Sequence, residues 1–339
     1  MILLGVSALL GLLACHTLKN ANTNAYTYQI TNRIHLDGDS FWDYLTVDEV
    51  TDHLFVSHGT MVQVVDLKTS KLLGTIPDTK GVHGIALAPE FGKGFISCGR
   101  DTSVMVFDLA TLAVTGKFKV TGENPDAILY DSYTKRIFTF NHTGKSVTAM
   151  DAATNKLLGT IALEGEAEFA VTDGQGTIFV NIEDKSTITV IDSKTLKVLH
   201  NWPVSPGEEP TGLAFDVKHS RLFAVCGNQK MMVLDSKTGK IVQYLPIGEG
   251  CDGVVFDPIA QRIYSSNGEG SMTVMEEKTP NEYCLVTTVP TQKGARTIAI
   301  NSKTQRLYLT TAEREAPVGD ARPKVKSGTF VVLEVGKIK

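Results

Sequence analysis

Thr177-Ile178-Phe179-Val180-Asn181, followed by Ile188-Thr189-Val190-Ile191-Asp192 and the turn Ser193-Lys194-Thr195, holds the pattern that decides the architecture. Apolar residues alternating along each run give a strand that packs against a neighbouring sheet on either face. The closing Asp can accept backbone N–H groups just beyond it, which is a turn device and needs no catalytic explanation. The same sentence is written again and again along the chain. Its closing acids are Asp66, Asp108, Asp151, Asp192, Asp235, Glu276 and Glu334, at steps of 42, 43, 41, 43, 41 and 58. A period near that length, with about four strands per unit, is the signature of a β-propeller blade.

The aligned second strands are His53-Leu54-Phe55-Val56-Ser57, Gly94-Phe95-Ile96-Ser97, Arg136 to Asn141, Thr177 to Asn181, Arg221 to Val225, Arg262 to Asn267 and Arg306 to Thr310. The expected fold is therefore all-β, a seven-bladed propeller. The last unit lacks a fourth strand, and a surplus strand, Tyr28 to Leu36, precedes the first. These two should pair and close the ring, which removes exposed edges. Residues 28–339 then form a single domain, expected to be a monomer. With 33 basic and 37 acidic residues the chain carries a formal charge of −4. That balance offers no basic stripe for counterion release and argues against general nucleic-acid binding.

Residues 1–15 read as a signal peptide. The run Met1 to Ala14 is apolar but too short to span a bilayer, and no Lys or Arg precedes it. It ends Leu12-Leu13-Ala14-Cys15, similar to a bacterial lipobox, in which Cys15 would carry the lipid and residues 16–27 would form a tether. Cleavage after Ala25 is the alternative. Either reading sends the chain out of the cytoplasm, and lipidation would anchor it in the cell envelope, on the periplasmic or extracellular side. Four further cysteines fall inside blades: Cys98, Cys226, Cys251 and Cys284. Cys226 and Cys251 lie near one face of neighbouring blades and could pair, or all four could be small buried thiols. No CxxC or Cys/His metal spacing occurs.

The strand triplets, the repeated V-x-D-x-x-T-x-K third strand and turn, and the final Gly328-Thr329-Phe330-Val331-Val332-Leu333-Glu334-Val335 resemble the YVTN-repeat β-propellers, the bacterial family that includes YncE-like proteins. The resemblance covers Tyr28 to Val335. Ile137 to Asn141 and Ile263 to Asn267 come nearest the four-letter motif, which no blade matches in full. What the family implies is the fold. For function it implies several things at once: binding proteins, cofactor-handling accessories and lactone hydrolases share it.

A site is expected where the innermost strands begin, at the mouth of the central channel. Counting back twelve residues from each second-strand aromatic, eleven in blade four, gives Asp43, His83, Asp126, Glu168, Thr211, Asp252 and Arg296. So many ionisable groups in one ring are costly unless paired or solvated. The loops leading into those strands add Asp37, Asp39, Asp78, Glu123, Glu164, Glu166, Glu208, Glu209 and Glu249 against Lys80 and Lys293. An acidic axial face follows, attractive to cations or a basic partner. A water-filled ring of structural salt bridges, with Arg296 between Asp43 and Asp252, explains the same residues.

As metal ligands, Asp43, Asp126, Glu168 and Asp252 offer hard oxygens suited to Ca²⁺ or Mg²⁺. Trp42, with Phe41, is a candidate stacking platform at the rim. His58 and His142, in loops after second strands, read as ordinary surface histidines. The insertion from Thr311 to Ser327 could be a lid, or could pair its bases with the acidic crown. No GxSxG, HExxH or P-loop is present. The chain thus reads as a binding or interaction module for a small molecule or envelope protein. The alternatives are a lactonase-like hydrolase using His83, Glu168 and Arg296 as base, acid and anion-orienting group, or an accessory for a haem-like cofactor ligated by His83.

Overall fold

The computed structural model describes residues 27–316 and 323–338. Among them, seven four-stranded antiparallel sheets stand in a ring. In blades one to six each sheet runs outward in chain order, so blade one is Trp42–Asp48, His53–His58, Met61–Asp66 and Lys71–Ile76. The alternation read from the sequence is what makes this possible. Second and third strands are buried on both faces, while fourth strands such as Lys197–Pro203 are largely exposed. The apolar clusters are shared between neighbouring blades rather than held within one. Phe55, Val62 and Val64 of blade one pack with Ile96, Met105 and Phe107 of blade two.

The ring closes as the sequence requires. Thr27–His35 pairs antiparallel with Val331–Ile338 and supplies the fourth strand of blade seven. Tyr28 also reaches across to blade six, where its hydroxyl lies 2.9 Å from that of Tyr264 and accepts from Arg262 at 2.6 Å. The first described strand is thereby fastened to two blades at once.

The innermost strands carry one recurring irregularity. In blades one to six the first strand slips register against the second, between Trp42 and Leu45, Val82 and Ile85, Pro125 and Ile128, Ala167 and Ala170, Pro210 and Leu213, and Cys251 and Gly253. An extra residue in one strand is a β-bulge, which re-aims its side chain and leaves backbone groups outside the ladder. Polar residues satisfy those groups across the blade junctions. Ser97 of blade two donates to the Asp126 carbonyl of blade three. Asn181 of blade four donates to the carbonyls of Thr211 and Gly212 at 2.8 and 3.0 Å. Thr211 reaches Cys251 at 3.2 Å, Ser266 reaches Arg296 at 2.5 Å, and Thr297 reaches Asp43 at 2.8 Å.

Cys98, Cys226 and Cys251 are buried free thiols. Cys251 Sγ donates to the Cys226 carbonyl at 3.3 Å, so the neighbourhood foreseen for these two residues is real without a bond between them. The signal peptide, Cys15 and all of the tether but Thr27 lie outside the described residues. The base of the 311–327 insertion folds back on itself through an Arg314–Val325 bridge, and Lys326 pairs with Glu313 of the same loop at 2.9 Å rather than with the acidic crown.

The junction bonds should matter more than surface contacts. Asn181→Ala leaves two buried carbonyls without a donor and is expected to cost about 1–3 kcal/mol, read as a lower urea midpoint. An unchanged midpoint would mean that the bulge carbonyls find other partners.

Candidate functional site

In blades one to six the bulge turns the ring residues toward the axis, where, with Arg296 of blade seven, the structure brings together six of the seven sequence-derived candidates. Asp252 pairs with Arg296, whose guanidinium also lies 3.6 Å from Asp43 Oδ1. Asp43 Oδ2 bonds His83 Nδ1 at 2.7 Å, and His83 Nδ1 lies 3.5 Å from Asp126 Oδ1. On the far side of Asp126 stands His142, 2.9 Å from Glu168. Acid and base therefore alternate around the mouth from blade six through blade four. Thr211 is the exception, spending its hydroxyl on the backbone of blade six.

Trp42 departs from expectation. It is 3% exposed and packs on Phe330 at 5.6 Å, because the bulge that turns Asp43 to the axis leaves Trp42 in the apolar layer between blades. It is no stacking platform for a ligand. Arg314 covers its ring at 5.3 Å. Phe41 is the aromatic at the rim, 6.0 Å from His83 and beneath Arg100. His58 is likewise a core residue, 1% exposed, stacked on Phe330 at 3.8 Å, with burial lowering its pKa.

His142 and Glu183 are the residues that sequence reasoning missed as site members. Both stand four residues past the second-strand aromatic. That position is Gly59, Gly99, Gly227, Gly268 and Ala312 in the other five blades. The small residue is required there by close approach: a Cβ on Gly99 would lie 2.4 Å from Asn124 Oδ1 and 2.9 Å from His83 Nε2. An ionisable side chain at a position otherwise held by Gly or Ala is the signal that could have found them.

Burial and crowding decide the protonation of this ring. Burial works against the charge on His83, but the Asp43 bond and the Asp126 and Asp43 charges outweigh it and hold the imidazole at about 9. His142 is held at about 9 by the Glu168 carboxylate beside it, against the cost of burial. Asp126 is pushed up to about 7 by burial, with Asp43 and Glu168 adding to the rise and His83 opposing it. Glu183 is pushed up to about 7 by burial and by Glu168. At neutral pH His83 is thus a proton donor held by two carboxylates. In the hydrolase reading it would have to be the base, and both Arg296 and Glu168 are already engaged.

Beneath the charges the channel turns apolar. Tyr44 and Phe169 meet edge to face at 5.2 Å, from blades one and four. A cavity of about 340 Å³ continues below them, lined by Val47, Leu213, Phe215, Val255 and Ile300 among others. Opposite Tyr44 and Phe169 the same position is glycine in blades five and six, where a Cβ on Gly212 would come 3.0 Å from Gly253 Cα. The polar site is a shallow cup with an aromatic floor.

No family model matches the chain. It is 22% identical over 314 residues to the protein named uncharacterized protein YncE of Salmonella typhimurium, spanning 87% of this chain and 76% of that one. It is 26% identical over 189 residues to YncE of Escherichia coli K12, spanning 51% of each. Among solved structures it is similar to the RRP9 WD40 repeats, with a TM-score of 0.79 at 9% identity over 92% of this chain and 100% of that one. It is also similar to the Kuenenia stuttgartiensis hydrazine synthase, with a TM-score of 0.69 at 17% identity over 81% and 94%. The structural neighbours carry the fold alone. Together with the seven blades, the sequence similarity supports a YncE-like propeller.

The raised pKa values have one sign. His83 and Asp126 both hold protons more tightly in the folded chain than in the unfolded one, so stability falls as pH rises. The Asp126 contribution is lost between about 4 and 7, and the His83 contribution, complete below about 6.5, is lost by about 9. The thermal midpoint of metal-free protein should therefore fall between pH 6.5 and 9, and His83→Gln should flatten that fall. An equal slope in the variant would place the titrating group elsewhere.

Proposed function

We propose that this YncE-like propeller is a binding module of the cell envelope whose acidic axial mouth takes a divalent cation, either alone or as a bridge to a small molecule or envelope protein. The observation that carries the reading is the setting of Asp126. It is 8% exposed, its Oδ1 has no hydrogen-bond donor, and it stands between two imidazoles with Asp43 and Glu168 beyond them. A buried carboxylate is costly unless paired or bound to a metal.

The donor set differs from the all-oxygen one that the acids alone suggest. His83 and His142 add two nitrogens, and mixed imidazole and carboxylate donors suit first-row ions such as Mn²⁺ or Zn²⁺ better than Ca²⁺ or Mg²⁺. A divalent ion would supply the charge that two imidazolium protons supply without it, so its affinity should weaken on acidification. The acid-rich rim supports the choice of a cation and opposes a phosphate backbone as partner. Export on a lipid tether rests on Met1 to Ala14 and Cys15.

Chelator-treated protein, dialysed against Mn²⁺, Zn²⁺ or Ca²⁺ and counted by elemental analysis, should retain a transition ion that Asp126→Asn loses. Equal retention by the variant would sink the axial site. For the anchor, Cys15→Ser should abolish incorporation of a palmitate analogue and release the chain from the membrane fraction. Labelling that survives the substitution would remove Cys15 from the proposal.

A further inference from the structure

Glu277 stands where a neighbouring blade pair has a hydrogen-bond donor. In the junction of blades three and four, Asp131 ends the first strand and faces Ser193, the residue after the closing acid. Ser193 Oγ donates to Asp131 Oδ2 at 2.8 Å, joined by Thr134 at 2.6 Å and by Thr172 on the other oxygen at 2.9 Å. That carboxylate is fully satisfied. In the junction of blades five and six the same two positions hold Asp216 and Glu277, two carboxylates facing each other.

Both are deeply buried, Asp216 at 2% and Glu277 at 6% exposure. One imidazole stands between them: His219 Nδ1 is 2.7 Å from Asp216 Oδ2 and 2.9 Å from Glu277 Oε1. Neither contact has the direction of an N–H hydrogen bond. Asp216 Oδ2 and both Glu277 oxygens are left without a donor, although Asp216 Oδ1 accepts from the Lys218 backbone at 3.0 Å. Buried polar atoms without partners are rare, and buried charges without them rarer.

We propose that Asp216, His219 and Glu277 form a divalent-metal site on the face opposite the axial mouth. The spacings of 2.7 and 2.9 Å are close to those of ligands at right angles on a six-coordinate ion with bonds of about 2.1 Å. An ion on the imidazole lone pair, with a carboxylate oxygen to either side, accounts for contacts that are short yet off the N–H line. One nitrogen and two carboxylates select a first-row ion such as Zn²⁺ or Mn²⁺.

The surroundings hold these ligands in place. The third strand of blade six runs Ser271–Thr279, past its closing Glu276, and this extension carries Glu277 into the junction. Arg221 ties the two ligand loops together. It donates to the carbonyl of His219 at 3.0 Å, to that of Pro280 at 2.7 Å and to Asn281 at 2.8 Å, while its charge is met by Asp235 at 2.8 Å. The His219 side chain, 22% exposed, leaves a path from solvent.

The test uses full-length protein stripped with chelator, dialysed against Zn²⁺ and counted by elemental analysis. Glu277→Ser installs the residue found at this position in blade four and should fold, and His219→Ala gives a second variant with little backbone risk. Each is expected to bind one ion fewer than the parent, and each should do so equally in an Asp126→Asn background. Unchanged stoichiometry in either folded variant overturns the site. A parent that binds one ion, lost in Glu277→Ser and kept in Asp126→Asn, would uphold this site while removing the axial one.

Discussion

The structure depends on a defect repeated in six blades: the first strand holds one residue more than its partner can pair. A regular ladder would satisfy every backbone group within a blade and leave adjacent blades joined only by apolar contact. The bulge frees carbonyls at the axis, and a buried carbonyl without a donor is costly. The donor comes from the preceding blade in the ring, as Asn181, Ser266 and Thr297 show. One irregularity therefore holds the ring together and swings the preceding side chains into the channel mouth.

That geometry sets the electrostatics. Side chains from six blades converge at the channel mouth, above the Tyr44–Phe169 floor. Limited solvent strengthens attraction and repulsion alike. The ring tolerates its acids because bases are interleaved with them: Arg296 between Asp252 and Asp43, His83 between Asp43 and Asp126, and His142 beside Glu168. The charges gather toward blades one to four. Blade five contributes Thr211, whose hydroxyl serves the backbone, so its ring position carries no charge.

Three histidines show how far local reading reaches. His83 could be placed at the axis because its position follows from counting back along its own blade. His58 and His142 look alike in sequence, each near the end of a second strand, yet His58 stands three residues past its strand aromatic and is stacked inside the apolar layer on Phe330, while His142 stands four past and faces Glu168. That one-residue step turns them to different surroundings: Phe330 comes from the closing strand region of blade seven, and Glu168 from the next blade along. Trp42 was misplaced for the same reason, since its partner Phe330 lies at the far end of the chain. His142 and Glu183 became legible only when the glycines of the other blades were set beside them and the close approach they permit was seen.

The sequence by itself determined the period, the number of blades, the pairing of Thr27–His35 with the last strand and the seven positions at the channel mouth, because each is a property of one repeat counted along the chain. Only the tertiary structure decided which of those residues are charged partners, which are core, and where a second cluster forms at Asp216, His219 and Glu277. Those outcomes depend on contacts between blades about 40 or more residues apart. They are fixed by the bulge within each of blades one to six together with the junction hydrogen bonds and the closure of the ring, and the last two lie outside any single repeat.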